Sequence, residues 1–136
     1  MKNKKELITF DFGTGPVPAH RHKNPDGSMG GWVANTATVA DTAYIGEDAQ
    51  VYGHAKVFGN AKVSDNAIVY GDAWVYDYAQ VYNNAKVYGK AQVSDSALVS
   101  GDAWVYGNAQ VSGYASVYGY AQVYGNTKLS SGTYKE

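Results

Sequence analysis

The chain contains no cysteine, which removes disulfides, thiolate zinc sites and a cysteine nucleophile. It is nearly as poor in strong helix formers: 3 Leu and 3 Glu stand against 16 Val, 16 Gly and 13 Tyr in 136 residues. Straight-chain residues lose little on entering a helix, whereas valine and glycine lose more, so a helical bundle is excluded. Net charge is only −1, which argues against a surface built to hold duplex nucleic acid. Long apolar runs are missing as well. The stretch from Leu7 to Phe12, behind the basic start Met1–Lys5, is interrupted by Thr9 and Asp11, too short and too polar for a signal peptide or a membrane span. A soluble cytoplasmic protein without membrane contact is the expectation. Leu, Ile, Val and Phe total 25 residues, a share that signals disorder when joined to high charge and no pattern. Here the charge is low and the pattern is strict.

From Val33 to Leu129 an aliphatic residue recurs at every sixth position, seventeen times without a slip. Two positions before each stands a small residue: Gly31 first, then alanine from Ala37 to Ala121, and Thr127 last. Such a period is the mark of a repeat architecture. Within a unit such as Ala109-Gln110-Val111-Ser112 apolar and polar residues alternate, so Ala and Val share one side of a four-residue strand and Gln and Ser the other. The next two positions are mostly pairs of Gly, Asp and Asn, which tolerate positive φ or bond their own backbone, so the chain turns there. An unbroken six-residue period with every Val on one side requires a coil that always turns the same way.

These residues resemble the hexapeptide-repeat family of left-handed parallel β-helices, whose motif is an aliphatic residue followed four positions later by a small one, as in Val51 with Ala55 or Val105 with Ala109. The resemblance implies an all-β fold in which three hexapeptides make one triangular coil, so that residues 18 apart stack along a face. About five and a half coils follow, roughly 26 Å at a rise of ~4.8 Å per coil. The expected organisation is a non-repetitive strand and cap over 1–30, the left-handed β-helix over 31–130 and a C-terminal tail over 131–136.

The position after the aliphatic residue departs from the family pattern, because tyrosine dominates it. Spacing by 18 gathers Tyr52, Tyr70, Tyr88, Tyr106 and Tyr124 into one outward column, while the matching columns of the other faces mix aromatics with serine. Stacked aromatics support neighbouring strands, by about 0.2–1 kcal/mol per pair, and tyrosine is enriched in interfaces. Stacking within the chain, an oligomer interface and a carbohydrate platform are the readings of this ladder. Residues 63–92 and 93–122 also repeat one another with 20 identities in 30, including Asp-Ala-Trp-Val-Tyr at 72–76 and 102–106. Five hexapeptides are not a whole number of coils, so Trp74 and Trp104 belong to different faces and a duplicated face-specific site is not expected.

The non-repetitive start holds the unusual chemistry. Leu7–Phe12 reads as a strand, Gly13–Pro18 as a bend and Asn24-Pro25-Asp26-Gly27 as a turn. A solenoid leaves an open edge and an open core at its end, and Ile8, Phe10, Phe12 and Trp32 are the candidates to close the first coil. Between bend and turn lies Ala19-His20-Arg21-His22-Lys23. If extended, His20 and His22 point to one side and Arg21 and Lys23 to the other, an arrangement suited to a small, nucleotide-like anion and, more weakly, to a metal.

For function, the resemblance implies two enzyme classes. Acyltransferases using an acyl-coenzyme A have this fold, a trimeric assembly and a catalytic His at the subunit seam. Here no loop leaves the coil between Val33 and Leu129, and the only barrel histidine is His54, at a corner. Zinc carbonic anhydrases of the same fold use three His, and His20, His22 and His54 do not match that set, since two lie outside the repeat. Ice binding needs stacked Thr-x-Thr rows, and Thr36 and Thr38 have no Thr 18 residues on. The expectation is a non-catalytic β-helical scaffold or binding protein without a cofactor. It self-associates, with a trimer favoured and the tyrosine ladder as interface, and it takes a small anionic ligand at His20, Arg21, His22 and Lys23. A hexapeptide-repeat acyltransferase with His54 as the weak catalytic candidate is the alternative.

Overall fold

The computed structural model describes residues 8–135, so Leu7 and the basic start lie outside the described residues. The repeat winds into a parallel β-solenoid of about six turns. Three sheets form its sides. The first begins with β1 (Thr9–Asp11), β2 (Pro16–Lys23) and β3 (Met29–Ala34), then takes one short strand per coil from Gln50–Val51 to Gln122–Val123. The second runs from Thr38–Val39 to Lys128–Leu129, and the third from Tyr44–Ile45 to Thr133–Lys135. Register is the 18-residue step: Trp32 pairs with Gln50, Lys86 with Trp104 and Gln110 with Lys128. Trp74 and Trp104 stand on different sheets, as the five-hexapeptide duplication requires.

Every alanine from Ala43 to Ala115 and every repeat aliphatic from Ile45 to Val117 is almost fully buried, in one continuous cluster. The interior is a prism of two small side-chain types repeated layer by layer, which leaves no room for larger ones. Gly31 holds the first place in the alanine column, and a Cβ there would stand 2.0 Å from the Ala49 carbonyl oxygen.

The corners show why Asp and Asn alternate with Gly. The first corner residue takes positive φ in the later coils, and the four non-glycine residues that do so are Asp65, Asp77, Asn83 and Asp95. An L-residue in this region costs roughly 1–2 kcal/mol. Each of the four side chains accepts a hydrogen bond from the backbone N–H of the residue 18 positions on, from Asp65 with Asn83 at 3.0 Å to Asp95 with Gly113 at 2.8 Å. The bond offsets the backbone cost and ties one coil to the next.

The start of the chain folds back as an antiparallel extension, with β1 on β2 and β2 on β3. It caps the solenoid with side chains other than those expected. Ile8 is exposed, and Phe10, Phe12 and Trp32 are half-buried and packed in a row on the outside of the first sheet. Among the described residues of the segment, the buried side chains are those of Ala19, His22 and Asn24. Asn24 receives the Ile45 N–H on Oδ1 and donates from Nδ2 to the Ile45 carbonyl, while His22 Nε2 bonds the Ala43 carbonyl at 2.8 Å. The exposed edge of the third sheet is polar backbone, so amide and imidazole groups close it better than hydrocarbon. At the other end, Thr133–Lys135 pairs with Ser116–Tyr118 in a register one residue short, so the sheet continues past the expected boundary at 130.

Candidate functional site

The first sheet turns two outward columns to solvent. One is the tyrosine column, and its rings are stacked: 4.8 Å between Tyr52 and Tyr70, 4.9 Å to Tyr88, 5.0 Å to Tyr106 and 5.4 Å to Tyr124. Interplanar angles stay between 2° and 14°. Phe12 adds a ring at 4.8 Å above Tyr52, and Phe10 joins Phe12 edge-on and Trp32 face-on. The spacing is that of the strands themselves, so the backbone ladder sets the ring ladder. Burial between neighbouring rings raises the phenol pKa of Tyr52, Tyr70 and Tyr88, and adjacent tyrosines add to the rise at Tyr70 and Tyr88. A carbohydrate docks on a free aromatic face, but here each inner ring covers its neighbours. Edges and hydroxyls are what the ladder presents.

The other outward column of the first sheet, with Trp32 and Trp104, and the same column of the second sheet, with Trp74, hold a pattern that the repeat alone did not disclose. All three tryptophans have a cation on the preceding strand and a glutamine on the following one: Arg21, Trp32, Gln50; Lys56, Trp74, Gln92; Lys86, Trp104, Gln122. Lys56 and Lys86 stand 5.5 and 5.6 Å from their indole centroids, and Arg21 stands 6.0 Å away. Such contacts contribute about 0.5–1 kcal/mol at exposed sites. Trp74 meets Phe58 and Tyr76 edge-on, and Trp104 meets Tyr88 and Tyr106 in the same way. The 18-residue spacing of Lys and Trp was the available signal.

The four residues assigned to an anion site are placed separately. His20 is exposed, its Nδ1 2.7 Å from Asn35 Oδ1, and shares the register of inward Val33. Arg21 shares that of outward Trp32 and donates from Nε to the Gly30 carbonyl at 2.8 Å. His22 is buried in the cap, at the irregularity between Arg21 and Lys23. Lys23 is exposed. His20 and His22 thus turn toward the solenoid end and Arg21 away from it. His54 is an exposed corner residue, and among the described residues no side-chain hydrogen bond orients its ring.

Charge is sorted by side. Asp41, Asp77 and Asp95 lie along the corner between the second and third sheets, and Glu47, Asp48, Asp65 and Asp102 along the corner between the third and first. The remaining corner, between the tyrosine face and the second sheet, has Asp72, Lys90 and His54.

Comparison with known families agrees with this architecture. The model of the YdcK Beta solenoid repeat matches residues 61–77, 79–95 and 91–107. No curated protein and no solved structure matches the chain.

Proposed function

We propose that the protein is a non-catalytic β-solenoid scaffold that associates with itself through the tyrosine face. The observation behind this reading is the ladder from Tyr52 to Tyr124, five stacked rings on a surface whose only charge between Gln50 and Tyr124 is Lys86. Aromatic residues with few charges are the composition of interface centres. The repeat supplies rigidity and the face supplies contact area, and neither requires a reacting group. The test is mass in solution, by light scattering, for the unmodified chain and for Tyr70→Glu. The unmodified chain should be oligomeric. The variant should dissociate, because it buries a carboxylate in a contact made of apolar and aromatic side chains. A one-chain mass for the unmodified protein would remove the reading and leave the ladder as stacking within the chain.

A further inference from the structure

The tyrosine face differs between its two long borders. On each strand the first outward residue stands beside the corner through which the chain enters the face, and the tyrosine stands beside the corner through which it leaves. The entering corner is acidic, with Glu47, Asp48, Asp65 and Asp102; the leaving corner carries Lys90 and His54 against Asp72. Between Gln50 and Tyr124 the face itself has no carboxylate.

These borders discriminate between the two ways in which a second copy can cover the face isologously. A two-fold axis across the solenoid makes the chains antiparallel and sets entering corner on entering corner, acid against acid. With the axis along the solenoid the chains run parallel and entering corner meets leaving corner: at equal height Glu47 and Asp48 meet the partner's His54, Asp65 meets the partner's Asp72, and Lys90 meets the partner's uncharged Asn83 and the partner's Asn84. The same rotation turns every strand onto its own counterpart without change of height. Tyr70 then meets the partner's Ile68, Tyr88 the partner's Lys86 and Tyr106 the partner's Trp104. Lys86 lies against a tyrosine rather than against its own copy, and the rung spacing matches because both sides share one strand spacing. Like-charge contact suppresses the wrong pairing: the antiparallel arrangement centred on the Lys86 strand sets Lys86 on Lys86, Lys90 on Lys90 and Asp65 on Asp102.

We propose that the tyrosine face binds a second copy of this chain in parallel orientation and in register, about a two-fold axis along the solenoid. The inference rests on the self-association reading and replaces the three-fold assembly implied by the sequence resemblance with a two-fold one.

The chain has no cysteine, so single cysteines report orientation cleanly. Gln50→Cys and Gln122→Cys lie on one column four coils apart, about 19 Å at ~4.8 Å per coil. Each variant is treated alone with a short bismaleimide, then the two are mixed and treated again, with light scattering of the untreated samples alongside. The expected result is a two-chain mass and a covalent dimer from each variant alone. A two-chain mass with cross-linking only in the mixture would overturn the parallel orientation. A three-chain mass would overturn the two-fold axis while leaving self-association standing, and a one-chain mass would overturn both.

Discussion

Asn24 and Ile45, 21 residues apart in the chain, are joined by two hydrogen bonds: Ile45 N–H to Asn24 Oδ1 at 2.8 Å and Asn24 Nδ2 to the Ile45 carbonyl at 3.0 Å. A side-chain amide thus does for the edge of the third sheet what a backbone amide does inside it. Replacing Asn24 by Leu leaves a buried donor and a buried acceptor without partners, at about 1–3 kcal/mol each. Urea unfolding should show a loss of several kcal/mol in Asn24→Leu. An unchanged midpoint would mean that this bond pair does not hold the cap.

Ala85 is fully buried in the alanine column, whereas Gln110 is exposed on the second sheet. Ala85→Leu forces three extra carbons into a filled prism and should cost ~1–3 kcal/mol. Gln110→Leu should change stability little. Equal losses of melting temperature in the two variants would contradict the division into inward and outward columns.

Asp95 combines a φ of 56° with a carboxylate that accepts the Gly113 N–H. Alanine at this position keeps the unfavourable conformation and loses the acceptor, while glycine is free of the conformational cost. Asp95→Ala should therefore be less stable than Asp95→Gly, by about 1–2 kcal/mol. Thermal unfolding of the pair checks the order, and the reverse order would refute the offset described above.

Alkaline pH should weaken the fold through the ladder. The phenols of Tyr52, Tyr70 and Tyr88 have raised pKa values in the folded chain, mainly from burial. On unfolding they return to about 10. Their neutral form is thus favoured by the fold, and this stability is present below the unfolded pKa and lost as pH rises through the folded values. Unfolding midpoints measured from neutral to strongly alkaline pH should fall above about pH 10, and Tyr70→Phe should fall less steeply. Parallel curves for the two proteins would show that the ladder does not carry the effect.

The columns of Val and Ala, the tyrosine row and the assignment of Trp74 and Trp104 to different sheets were all readable from the sequence. The reason is translational symmetry: once a six-residue unit turns one corner, every later residue's face follows from its number. The Gly, Asp and Asn at the corners were legible for the same reason, since their types answer to a local backbone need. The N-terminal segment has no period, so nothing local distinguishes a hydrocarbon plug from a polar edge cap. Phe10 and Phe12 are apolar enough to enter a core, yet the prism that β2 covers is closed to large rings by its own narrow width. Phe12 lies instead on the ladder, where a ring of the same pitch was already waiting in Tyr52, and Phe10 stacks on Trp32. His22 looked like a free ligand side chain because its partner, the Ala43 carbonyl, comes close only after the first coil has turned. Charge followed the same division: the repeat marks each acid as a corner residue, but only winding the coils brings Asp48, Asp65 and Asp102 onto one edge and leaves the tyrosine face between Gln50 and Tyr124 without any carboxylate.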